Sequence, residues 1–119
     1  MSRIVYVNGS FVPYEDAKIP IMDRGFLFAD GIYEVSAVMG GKLVDNEAHL
    51  ARLDRSLGEI RIKNPYETEK WIELQRELIQ RNSVNEGLVY VGVRRGVAER
   101  VLAFPMGVEP SVVMCTREM

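Results

Sequence analysis

The sequence predicts an α+β fold in which a small, largely antiparallel sheet packs with two helices. A hairpin signature opens the chain, two stretches of helical period follow one another at its centre, and β-branched runs return at its end, so strands, helices and strands come in that order. At 119 residues and 13.5 kDa the whole chain, residues 1–119, is expected to be a single domain, large enough to bury roughly two thirds of its unfolded surface. Its hydrophobic fraction of 47% and charged fraction of 27% are those of a folded globule.

Ile4-Val5-Tyr6-Val7 reads as a strand, Asn8-Gly9 as a turn that favours positive φ, and Phe11-Val12 as the returning strand. Asp23 to Phe28 mixes charge, glycine and two aromatics without a period, which suits a structured loop or a single helical turn. Ile32 to Met39 is β-rich, and Gly40-Gly41 turns it into a short strand over Lys42-Leu43-Val44. A helix follows with Asn46 as its expected cap and Leu50, Leu53, Leu57 and Ile60 as its apolar stripe. Asn64-Pro65 interrupts that pattern. A second helix, with Thr68 as its expected cap, carries Trp71, Ile72, Leu74, Leu78 and Ile79 on one side and a Glu77/Arg81 surface pair on the other. Leu88 to Val93 and Ser111 to Thr116 complete the strands.

A formal net charge of −2 gives no general electrostatic reason to bind nucleic acid or an anionic membrane. No stretch approaches the roughly 20 apolar residues of a membrane span, and the single cysteine, Cys115, reads as a small apolar strand residue in a protein of the reducing cytoplasm. One histidine and no spaced His/Cys/Asp/Glu set leave no metal site to propose. Neither GxGxxG nor GxxxxGK[ST] occurs, so the glycines form no phosphate-binding fingerprint.

The candidate chemistry is carried by arginine and tyrosine. Arg52 falls on the flank of the first helix, where it is either a solvated residue paired with a carboxylate or a guanidinium able to reach a phosphate held beside the helix. His49 lies one turn earlier, nearer the apolar stripe, where a packed or capping role is the ordinary one. Tyr33 and Glu34 alternate along their strand, so one faces the core and the other a surface or cleft. Arg94, Arg95 and Arg100 surround Gly96 at a strand end. Such arginines are usually solvated, yet a strand-end loop can also offer them to a carboxylate or phosphate.

Taken together, VYVNGSFVPYEDAKIPIMDRGFLFADGIYEV (residues 5–35), HLARLDRS (49–56), YVGVRRG (90–96) and AFP (103–105) resemble the N-terminal domain of the class IV pyridoxal 5′-phosphate (PLP) aminotransferases, the group of the branched-chain and D-amino-acid enzymes. The closest flavour is D-alanine aminotransferase. The resemblance covers essentially the whole chain and implies the N-terminal domain of the D-amino-acid aminotransferase-like fold. It implies that Arg52 binds the cofactor phosphate, that Tyr33 stands beside cofactor and substrate, and that Arg100 holds the substrate carboxylate across a homodimer interface. Small-molecule amino acids and 2-oxo acids are then the partners.

The chain departs from the family pattern at two positions, Leu102 in place of the histidine expected in the D-amino-acid branch and Arg94 in place of threonine. The family's Schiff-base lysine belongs to a second, C-terminal domain, and Lys18, Lys42, Lys63 and Lys70 all fall in polar or turn surroundings. No catalytic residue is therefore expected in residues 1–119, and the chain alone is expected to be inactive. An aminodeoxychorismate lyase of the same fold, and a stand-alone binding domain without chemistry, are the alternatives.

Overall fold

The computed structural model describes residues 3–100, 105 and 107–119. Its strands are β1 (Ile4–Val7), β2 (Ser10–Pro13), β3 (Gly31–Met39), β4 (Lys42–Leu43), β5 (Gly87–Arg94) and β6 (Ser111–Glu118). The helices are α1 (Arg24–Phe28), α2 (Asn46–Glu59) and α3 (Thr68–Arg81), and a 3₁₀ turn covers Tyr14–Asp16. The strands form one sheet in the order β2-β1-β6-β5-β3-β4, antiparallel at every pairing. Asn8 and Gly9 close the first hairpin with φ of 46° and 98°, the left-handed geometry that matches strand twist in a two-residue turn.

Both long helices cover the same face of the sheet. Leu50, Leu53 and Leu57 of α2 and Trp71, Leu74, Leu78 and Ile79 of α3 pack there against Val38, Val89, Val91, Val93, Val112 and Met114. Among the described residues no helix of that length lies on the other face, and Tyr33, Val35 and Met39 are exposed there. Burial therefore alternates along β3: Glu34, Ser36 and Val38 point to the helices, while Tyr33, Val35, Ala37 and Met39 point away. This strand pairs with β5 along its length but with β4 only at Val38 and Met39. Its edge from Gly31 to Ser36 has no strand partner among the described residues.

Two expected caps are corrected. Asn46 does not cap α2. It is the first helical residue, behind Asp45 at φ 53°, and is buried with its oxygen accepting from Ser36 Oγ at 2.8 Å and its nitrogen donating to Gln75 Oε1 at 2.8 Å. A side chain that joins β3 and α3 inside the core is worth more there than at the helix end, since each of these polar groups would otherwise be buried unpaired. Thr68 likewise begins α3 inside the helix, after Glu67. The Glu77/Arg81 pair forms at 2.6 Å on the surface, and Arg81 also lies over the Phe11 ring at 4.7 Å. Cys115 is half-buried in β6, and burial pushes its thiol up.

Leu53 is fully buried between helix and sheet. Leu53→Ala is expected to remove about 2–5 kcal/mol of stability, read as a lower urea midpoint at unchanged slope. Asn46→Ala, which strands the Ser36 and Gln75 side chains, should cost about 1–3 kcal/mol in the same titration.

Candidate functional site around the third strand

The segment before β3 is organised by charge. Asp23 caps α1 by accepting from Gly25 N at 2.8 Å, and a helix of five residues leaves Ala29 in the left-handed region at φ 54°. That turn places Asp30 between two arginines. Arg24 Nε donates to Asp30 Oδ2 at 2.7 Å. Arg95 donates from Nε to Oδ2 at 2.7 Å and from Nη2 to Oδ1 at 3.2 Å. All three side chains are at least nine-tenths buried. Burial pushes the Asp30 carboxyl up, but the hydrogen bonds and charges of Arg95 and Arg24 outweigh it and hold the carboxyl below its ordinary range. Arg95 also reaches the end of α2, donating to Ile60 O at 2.8 Å and Arg61 O at 3.2 Å. Arg95 is thus not the solvated turn residue that its position suggests. It is a buried tie between β5, β3 and α2.

Four residues after Asp30, within β3, a second buried carboxylate does related work with a more exposed arginine. Glu34 accepts from Arg52 Nε at 2.7 Å and from Arg52 Nη2 at 2.8 Å, and its Oε1 lies 2.8 Å from His49 Nδ1. Arg52 holds the Glu34 carboxyl below its ordinary range by hydrogen bond and charge, with His49 assisting against the burial that opposes them. The ionised carboxylate can only accept, so His49 carries its proton on Nδ1 and turns Nε2 away. Arg52 itself is half-exposed, at 56% of its side-chain surface, and its Nη1 has no hydrogen bond among the described residues. Of the two expectations for Arg52, the structure shows the pairing with a carboxylate.

Tyr33 stands on the opposite face of β3 from Glu34. Its ring stacks on Tyr90 across the strand pair, with centroids 5.5 Å apart and planes at 23°, and is 63% exposed. Arg52 and Tyr33 therefore do not share one surface of the sheet, and the unpaired edge of β3 runs between them. Arg100 lies beyond β5 with its guanidinium 5.2 Å from the Phe28 ring centroid, and the guanidinium of Arg24 lies 4.6 Å from the same centroid. Leu102 lies outside the described residues. All four lysines are exposed. Among the described residues no group of three or more His, Cys, Asp or Glu side chains is placed to hold a metal ion, and no helix is long and apolar enough to cross a membrane.

Residues 31–119 match the family model described as amino-transferase class IV. The chain belongs to the class IV aminotransferase family. It is 42% identical over 114 residues to a D-alanine aminotransferase of Staphylococcus aureus, a match that takes in 95% of this chain and 40% of the relative. A D-alanine aminotransferase of Listeria monocytogenes is 42% identical over 93 residues, covering 78% of this chain and 32% of that protein. The chain thus spans about 40% of the length of the Staphylococcus relative. In solved structures the same fold occurs in the branched-chain amino acid aminotransferase of Escherichia coli, with a TM-score of 0.92 at 19% identity over all of this chain and 42% of that one. It also occurs in the 4-amino-4-deoxychorismate lyase of Pseudomonas aeruginosa, with a TM-score of 0.75 at 27% identity over 96% of this chain and 39% of that one.

Within this class IV frame, sequence reasoning singled out Arg52 and Tyr33 as candidates but gave no role to Glu34, and it treated Arg24 and Asp30 only as letters of a motif. A usable signal was present: acidic residues beside Gly31 and Val35, in a strand whose alternate positions are apolar, needed buried partners of opposite charge.

Replacing Asp30 with Asn should cost about 3–5 kcal/mol, because two buried guanidinium groups lose their counter-charge. The pH dependence follows the lowered carboxyls of Asp30 and Glu34. Each binds fewer protons folded than unfolded, so its stabilisation is complete above its unfolded value and is lost as pH falls through the lower folded one. Unfolding free energy should hold from neutrality to about pH 4 and drop below it. In Asp30→Asn and Glu34→Gln proteins that acid drop should be shallower, as chemical denaturation at a series of pH values would reveal.

Proposed function

We propose that this chain is the N-terminal, smaller part of a PLP-dependent transaminase that moves an amino group between a D-alanine-like amino acid and a 2-oxo acid. The observation that carries it is the Arg52 side chain. Glu34 occupies Nε and one Nη2 hydrogen, so the guanidinium is held with Nη1 free on a half-exposed side chain beside the open edge of β3. A donor set of that kind fits a phosphate dianion, since an oriented guanidinium gives parallel charge-assisted hydrogen bonds that lysine cannot match. Glu34 does not oppose it, because Arg52 and His49 already take up the carboxylate's charge and lone pairs.

In this proposal Arg52 holds the PLP phosphate, and Tyr33 stands beside the ring and the substrate on the other side of the strand edge. Arg100 takes the substrate carboxylate, reaching into the site of a partner subunit in a homodimer. When bound, PLP supplies a ring that stores the electrons released at the substrate's Cα. The lysine that moves the Cα proton is assigned to a second, C-terminal domain, and the exposed Lys18, Lys42, Lys63 and Lys70 are left out of the chemistry. Residues 1–119 by themselves would then be inactive. The half-buried cysteine without a partner thiol suits the cytoplasm.

We prefer transamination to the lyase reaction because the D-alanine aminotransferases reach 42% identity, against 27% for the lyase of the same fold. In the full-length protein, Arg52→Met is expected to weaken PLP binding roughly 10–100-fold, the loss of one charge-assisted contact. Absorbance titration of the cofactor would measure it, and an unchanged dissociation constant would sink the assignment. Arg100→Met should instead raise KM for the amino donor with cofactor affinity intact.

A further inference from the structure

A cavity of about 360 Å³ lies beside the turn that ends α2, and the transaminase assignment leaves it unused. Its walls come from two segments distant in sequence, Arg61 to Pro65 between the long helices and Gly107 to Pro110 leading into β6. Arg95 also lines it, with its guanidinium engaged by Asp30 and by the carbonyls of Ile60 and Arg61.

Both walls are held by backbone. The end of α2 is a Schellman motif, in which Ile62 N donates to Leu57 O at 2.9 Å and Arg61 N to Gly58 O at 3.2 Å, with Arg61 left-handed at φ 58°. On the other side, Gly96 at φ 116° lets the second segment close on the end of β5. A Cβ there would fall 2.0 Å from Glu109 O and 3.0 Å from Val108 Cγ1. Pro65, Pro105 and Pro110, three of the five prolines in the chain, line the space, so its shape is set before a ligand arrives.

Charge in the cavity is unbalanced. Ile62 is buried in the core, while Arg61 and Lys63 on either side of it are exposed and line the cavity. Neither of these side chains makes a hydrogen bond or ion pair among the described residues. Glu109 is the one carboxylate among the lining residues. The left-handed place in a Schellman motif ordinarily goes to glycine, which has no Cβ to strain; in this chain it carries a guanidinium instead.

We propose that this cavity binds a small phosphate monoester, with Arg61 and Lys63 holding the phosphate and the proline and Val108 walls taking the apolar part of the ester. A guanidinium fork and an ammonium together suit a dianion with three acceptor oxygens, whereas a carboxylate is satisfied by the fork alone. The volume is at the lower end of those of small-molecule sites, which suits a compact ester. A ligand so held bridges the turn after α2 and the connection into β6. The site is separate from the anion contacts assigned above, since Arg52 stands earlier on α2 against Glu34 and Arg100 stands over Phe28. The inference therefore does not depend on the transaminase assignment.

The test titrates phenyl phosphate calorimetrically into the full-length protein saturated with PLP, with inorganic phosphate in a parallel titration. Arg61→Gly removes the guanidinium and keeps the left-handed turn without strain, and Lys63→Met removes the second charge. The wild type is expected to bind one phenyl phosphate per chain, more tightly than inorganic phosphate and with the cofactor absorbance unchanged. Each variant should weaken that binding about 10-fold, and the double variant about 100-fold. The proposal is overturned by any one of four results: no saturable binding, binding that displaces the cofactor, inorganic phosphate binding as tightly as the ester, or an affinity unchanged in both single variants.

Discussion

Asp30 holds two buried guanidinium groups with one carboxylate, and the geometry of the site follows from it. Through Arg24 it fixes α1, through Arg95 it fixes the end of β5, and through the second reach of Arg95 it fixes the carbonyls that end α2. Three elements, α1, α2 and β5, are thereby gathered at the residue that precedes β3. A buried ion cluster is a poor source of net stability, because desolvation offsets most of the attraction. Its value here is positional. Apolar residues of the same volume could fill the space, but they would not specify which backbone carbonyls meet which strand end.

From that fixed origin β3 runs outward with a period of two, and the alternation divides the chemistry between two sides. The inward side brings Glu34 to Arg52 and His49, neutralising a carboxylate while orienting an arginine at the strand edge. The outward side brings Tyr33 onto Tyr90 and, through Tyr90, to Arg94. The cations on the two sides differ in kind. Arg52 is half-exposed and already ion-paired, while Arg94 has a buried donor with no acceptor among the described residues.

Much of the fold was legible in the sequence because hydrophobic period and turn chemistry report local structure directly. The leucine stripe of α2, the Trp71 stripe of α3 and the Asn8-Gly9 turn each carry their own evidence. The caps were not legible, since Asn46 has two competing uses, at a helix start or as a buried bridge, and only the packing of β3 against α3 chooses between them. At the candidate site, Arg52 and Tyr33 were singled out by their place in an ordered set of motifs. Glu34, Asp30 and Arg95 were not, because the pairs Glu34–Arg52 and Asp30–Arg95 join charges 18 and 65 residues apart, and a single sequence shows the charges without the contact.

The alternation along β3 also makes parity, rather than identity, the property hardest to change. Exchanging one side chain for another on this strand alters one contact. Adding or deleting one residue between Asp30 and Met39 would turn every side chain beyond it to the opposite face, so that Glu34 would meet the open side while Tyr33 was forced into the leucines of α2. Since β3 and β5 pair along their whole length, such a slip could not be absorbed locally. The strand is therefore constrained in length as well as in composition, and the nearby Gly40-Gly41 turn, at φ of 58° and 74°, lies beyond the alternating stretch, where an added residue would leave the two faces as they are.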